Sequence, residues 1–143
     1  MTSTVSPFWT DIGVKPLLSQ IDVYCKEDSV FDVTSGEAKI TIDMTEKNLG
    51  PLPTLLAALG SCMGVFLRRY ADNMKLPIKE FSISVDAELE KTPVMCFKKI
   101  NVAIDLKGAP LDQAKKDALM RFINNCPVHN TLHGNPEINA QLR

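Results

Sequence analysis

The sequence predicts an α+β fold: antiparallel sheets around one long central helix, with a second, shorter helix, in a single domain over residues 1–143. Three observations predict it. Residues 48–67 carry no charge, and Leu55, Leu59, Met63, Phe66, Leu67 and Tyr70 recur there and just beyond at helical spacing. Residues 78–90 alternate, with Phe81, Ile83, Val85, Ala87 and Leu89 on one side and polar residues on the other, and 95–106 also read as a strand. Strands therefore come in neighbouring pairs rather than singly between helices, which favours antiparallel sheets over a parallel α/β layout.

Residues 1–15 give no firm signal, although Phe8 and Trp9 could anchor a first strand or a partner contact. Leu17 to Cys25 reads as a strand. Val30 to Thr34 and Ala38 to Met44 read as a hairpin turning at Ser35-Gly36-Glu37. Pro51 and Pro53 then lead into the central helix, expected to start near Leu55 behind Thr54 as N-cap and to stop near Lys75, ahead of Pro77. Its second face is small: Ala57, Ala58, Gly60, Ser61, Gly64. Each glycine costs a helix about 1 kcal/mol against alanine, so two of them predict that another backbone comes close. A helix apolar on one side and small on the other is expected to be buried on both, and a partner subunit is expected to cover part of it. From Leu55 to Leu67 such a helix runs about 20 Å. A bilayer core needs about 30 Å, so the stretch reads as a core helix.

Past Pro93 and the second long strand, Gly108-Ala109-Pro110 turns the chain. Leu111 to Asn125 is amphipathic, with Ala114, Ala118, Leu119, Phe122 and Ile123 toward the core and Asp112 and Asp117 near its positive end. Pro127 to His133 predicts one short turn of helix, and Glu137 to Leu142 a last strand.

Net charge is −1, the pI is about 6.1, and basic residues occur only in scattered pairs, so nothing resembles a nucleic-acid footprint. The first residues lack the basic and apolar regions of a signal peptide, which predicts a cytoplasmic protein. In that reducing setting the four cysteines are expected as thiols. Cys25 and Cys96 read as packing residues in strands. Cys62 lies on the apolar stripe, and its plain reading is a small buried hydrophobe. Cys126 stands at a helix break before Pro127, where amides can hydrogen-bond its sulfur and favour the reactive thiolate. Cys126, His129 and His133 also follow a Cys-x2-His-x3-His spacing that suits zinc, but no fourth ligand is evident, and surface or cap histidines are the plainer reading.

Two segments then point to a family. The stretch from Gly50-Pro51-Leu52-Pro53 through Leu55-Leu56-Ala57-Ala58-Leu59-Gly60-Ser61-Cys62 resembles the first cysteine motif of the OsmC/Ohr proteins, osmotically inducible and organic hydroperoxide resistance proteins. Asn125-Cys126-Pro127-Val128-His129-Asn130 resembles their second. The element order agrees over nearly the whole chain. The resemblance implies an intertwined homodimer whose central helices cross, with two active sites between the subunits. It implies a thiol peroxidase acting on organic hydroperoxides, with no flavin, haem or metal cofactor. Cys62 would be oxidised to a sulfenic acid and Cys126 would resolve it. A dithiol such as a lipoyl group would reduce the disulfide. No nucleic-acid or membrane partner is implied. The chain departs from the pattern twice. The peroxidases use an arginine from the N-terminal strands and a glutamate near the start of the central helix. Here no arginine precedes Arg68, and Thr54 occupies the glutamate's region; Lys15, Lys26, Lys39 and Lys47 are the lysines that could substitute. The departures favour an alternative: an OsmC-like protein that binds a small apolar or electrophilic ligand at the subunit interface without turnover.

Overall fold

A computed structural model describes residues 20–25, 28–45 and 47–143 of the chain. The chain divides after Pro51 into two compact units. The expected anchors Phe8 and Trp9, and the first residues of the expected first strand, lie outside the described residues.

The first unit is a three-stranded antiparallel sheet, β1 (Asp22–Cys25), β2 (Val30–Ser35) and β3 (Ala38–Asp43), in that spatial order. The β2–β3 hairpin falls where expected. Ser35 pairs with Ala38 across a two-residue loop, and Gly36 opens that loop at φ +58°, a conformation that tight hairpin turns require and glycine adopts freely. Beyond β3 the chain turns on Asp43, whose side chain is buried. Its carboxylate accepts hydrogen bonds from the Asn48 amide (2.6 Å), the Thr45 hydroxyl (2.7 Å) and the Thr45 N–H (2.7 Å). The Asn48 bond first, then those from Thr45, hold the Asp43 carboxyl below the usual carboxylate range.

The second unit holds α1 (Pro51–Asn73) from its second residue on, followed by β4 (Ser82–Glu90), β5 (Cys96–Asp105), α2 (Gln113–Ile123) and α3 (Pro127–Gly134). Strands β4 and β5 pair antiparallel from Ser82↔Asp105 to Glu90↔Cys96. Glu88 pairs with Lys99 but Leu89 with Phe97, so Lys98 is the extra residue of a bulge. Asp112 caps α2 by accepting the Lys115 N–H at 2.8 Å. Ala114, expected toward the core, is exposed, whereas Leu119 and Ile123 are fully packed.

Helix α1 starts earlier than expected. Pro51 and Pro53 lie inside its first turn, where their missing N–H groups cost nothing, and Thr54 is helical rather than the cap. At 23 residues it spans about 34 Å. The length argument against a membrane span therefore falls: by length and composition α1 is long and apolar enough to cross one. Its buried face is instead taken up within the unit. Leu59, Met63, Phe66, Leu67 and Ala71 are buried, and the Phe66 and Tyr70 rings pack on Phe122 of α2 at centroid distances of 5.5 and 4.9 Å.

The glycines of α1 face β4, not another backbone. A Cβ at Gly60 would sit 3.0 Å from Cγ2 of Val85, and one at Gly64 would sit 3.5 Å from Cδ1 of Ile83. Ala57, Ala58 and Ser61 are exposed, so the small residues do not form one buried face. Arg68 pins the far end of the helix. Its guanidinium donates to the carbonyls of Ile78 (2.8 Å) and Lys79 (3.1 Å) and lies 5.1 Å from the Phe81 ring centroid.

The expected last strand is absent. Residues 135–143 join no sheet, and Ile138 and Leu142 are exposed. Alternation predicts a strand only where a neighbour offers a ladder, and no described strand of the chain does so here.

The two glycines predict opposite outcomes. Gly60→Ala should lower the unfolding free energy by about 1–3 kcal/mol in urea titrations, because the methyl meets Val85. Gly64→Ala, with ordinary contact distances, should be neutral or stabilising by up to about 1 kcal/mol through helix propensity.

Candidate functional site

The second unit brings two of the four thiols together. Cys62 lies in the middle of α1, partly buried, one turn past Leu59 and beside Met63. Cys126 arrives by a different route. Helix α2 ends at the Asn124 cap, Cys126 donates its N–H to the Ile123 carbonyl at 3.1 Å, and Pro127 starts α3 immediately afterwards. Cys126 is thus the N-cap of α3, fully buried, with Sγ accepting the His129 N–H at 3.4 Å. The Cys62 side chain interacts directly with it.

This cap does not make Cys126 the reactive thiolate that its position suggested. Burial pushes its thiol up to about 11; the His129 amide pulls the other way but is outweighed, and the neighbouring Cys62 raises it further. Cys126 therefore keeps its proton at neutral pH. All four cysteines are free. Cys25 and Cys96 are exposed rather than packed, and the Cys25 thiol donates to the Asp28 carbonyl at 2.8 Å.

The histidines expected as possible metal ligands lie one turn apart on α3, with ring centroids 6.0 Å apart, edge to face. Among the described residues no group of three or more His, Cys, Asp or Glu side chains is placed to hold a metal ion. The Cys126 sulfur turns back onto the His129 amide, as a cap does. Arg68 is committed to the Ile78 and Lys79 carbonyls. Arg69, seven residues past Cys62 and so two turns along the same side of α1, is half-buried. Of the lysines that could substitute for an arginine, Lys39 pairs with Asp32 at 3.2 Å, and Lys15 and Lys26 lie outside the described residues.

Residues 44–141 match the family model described as OsmC-like protein. The chain belongs to the OsmC-like family. Solved structures agree on the fold. An OsmC-like protein of Mycoplasma pneumoniae superposes with a TM-score of 0.73 at 24% identity, over 85% of this chain and 91% of that one. The organic hydroperoxide resistance protein OsmC of Legionella pneumophila superposes at 0.61 and 20%, over 85% and 93%. The organic hydroperoxide resistance protein OhrB of Bacillus subtilis superposes at 0.57 and 19%, over 81% and 92%. No curated protein matches the chain in sequence. The α+β arrangement of two antiparallel sheets and helices is thus that of OsmC-like proteins, some of them named for hydroperoxide resistance.

The raised Cys126 thiol carries a pH signature. Its ionised form is disfavoured in the fold, so its contribution to stability is intact below about pH 9, the ordinary thiol value, and is lost as pH rises through about 11. Reduced wild-type protein should lose thermal stability across that window. Cys126→Ser, which keeps a capping oxygen but does not ionise there, should lose less. In a timed alkylation of native reduced protein followed by mass spectrometry, Cys25 and Cys96 should be modified well before Cys126.

Proposed function

We propose that this protein is a thiol-dependent peroxidase acting on organic hydroperoxides. The observation that carries the reading is the buried, protonated Cys126 thiol against Cys62 on an apolar helix. The Cys62 thiolate attacks the outer peroxide oxygen. The O–O bond breaks, the alkoxide leaves and takes a proton as an alcohol, and Cys62 becomes a sulfenic acid. The Cys126 thiol then attacks the Cys62 sulfur. A Cys62–Cys126 disulfide forms and the hydroxyl leaves as water with the Cys126 proton. A dithiol, such as a reduced lipoyl group, returns both thiols and is itself oxidised. Leu59, Met63 and Phe66 surround Cys62 along the helix, so the reading favours a hydroperoxide with an alkyl or aryl tail over hydrogen peroxide. No cofactor is required by these steps.

The reading includes a homodimer in a reducing cytoplasm. Its support is the side of α1 that the second unit leaves open: Leu55 and Val65 are 37% and 46% exposed, and three-, three- and four-residue steps link Leu55, Ala58, Ser61 and Val65 along it. A second copy of α1 laid across that side would bury them beside Cys62. Val65→Glu should convert a dimer to monomer in sedimentation and should lower turnover with it. Monomeric wild-type protein would remove this part of the reading.

A second reading stays open because no arginine precedes Arg68 and Arg68 is engaged elsewhere. In it the subunit interface beside Cys62 binds a small apolar or electrophilic ligand without turnover. Kinetics separate the two. With cumene hydroperoxide and a dithiol, Cys62→Ser should lose peroxide consumption by at least about a thousandfold, roughly 4 kcal/mol of barrier. Cys126→Ser should still form a trappable sulfenic acid on Cys62 but fail to cycle. Wild-type turnover no faster than Cys62→Ser would exclude the peroxidase.

A further inference from the structure

A cavity of about 660 Å³ lies in the second unit with neither thiol in its wall. Its volume is that of a small-molecule site. Three elements supply an apolar floor: Leu59 and Met63 from α1, Ile100 and Val102 from β5, and Leu132 from α3. The polar part of the wall is of one kind. Lys98, Lys99, His129 and His133 line it, together with the neutral Asn124, and no carboxylate does among the described residues.

Two details mark that polar wall. Lys98 is the extra residue of the β5 bulge, and bulges re-aim a side chain that regular pairing would have placed otherwise. It makes no ion pair among the described residues. The Nδ1 of His129 is buried with no hydrogen-bond partner among the described residues, although its ring meets that of His133. A sheltered polar atom without a partner is costly, and a ligand that bonds to it removes the cost. Cationic and imidazole groups over an apolar floor complement a negatively charged head on a hydrocarbon body.

We infer that this cavity binds a small amphiphilic anion, a straight-chain carboxylate by chemical class, with its head at Lys98, His129 and His133 and its chain over Leu59, Met63 and Ile100. The cavity has neither sulfur in its wall and needs no redox step, and it shares Leu59 and Met63 with the apolar surroundings of Cys62. It adjoins the pair through α3, since the His129 amide that holds the Cys126 sulfur belongs to the residue whose ring lines the cavity.

Calorimetry and amide NMR on the reduced full-length protein test this, with dodecanoate below its micelle concentration as probe and dodecanol as its neutral counterpart. Dodecanoate should bind saturably with a dissociation constant below about 100 μM. Dodecanol should bind at least about tenfold more weakly, because a charge-assisted contact is lost. Lys98→Met should weaken dodecanoate by about tenfold on the same ground and leave dodecanol unchanged. Lys116→Met, in the separate groove between β5 and α2, should change neither. Cys62→Ser should bind dodecanoate as wild type does, which separates this inference from the peroxidase reading. No saturable binding below about 1 mM would overturn it. So would equal affinity for acid and alcohol, or wild-type affinity in Lys98→Met.

Discussion

The second unit depends on how closely α1 can lie against β4. Gly60 and Gly64 leave room for the Val85, Ile83 and Phe81 side chains, and that contact fixes the rotation of the helix about its own axis. With rotation fixed, Leu59, Met63, Phe66 and Leu67 must face inward and Leu55 and Val65 outward. Cys62 falls on the border between the two. The helix end is held against the turn before β4 by Arg68, which bridges two carbonyls and the Phe81 ring. A helix free to roll by one residue would carry Cys62 away from Cys126.

Cys126 is held by a different device. The chain has no loop between α2 and α3 beyond Asn124 and Asn125, so the cap of one helix runs straight into the cap of the next. A serine or aspartate would serve as a conventional N-cap there. A cysteine fills the place with a larger, softer atom that tolerates complete burial. Burial then outweighs the pull of the helix amides, so the electrostatics of the cap and the desolvation of the sulfur act in opposite directions and desolvation wins. That imbalance distinguishes the two: one thiol is kept neutral and sheltered, and the other sits at the edge of the packed face.

Much of this was legible in the residues. The hairpin at Gly36, both long strands, the central helix and the capped second helix follow from periodicity and turn chemistry, which act over a few residues. The Cys126-Pro127 break was readable as a helix start, and the sulfur does accept an amide there. Other features were not legible, for identifiable reasons. The prolines at 51 and 53 read as the lead-in to a helix capped by Thr54, whereas they lie inside its first turn, because first-turn tolerance depends on where the helix starts. The glycines of α1 read as room for another backbone, since composition does not say whether a backbone or a strand's side chains fill the gap. The tail around Ile138 and Leu142 read as a strand because alternation cannot report whether a partner ladder exists.

The sequence by itself determined the class of fold and the family, because periodicities and motifs are properties of neighbours along the chain. Only the tertiary structure decided that Cys62 and Cys126 meet, that Cys126 is the sheltered member, and that Lys98 joins two histidines over an apolar floor. Burial and charge in a folded chain depend on groups brought together from distant positions, and no local pattern encodes how much water they lose.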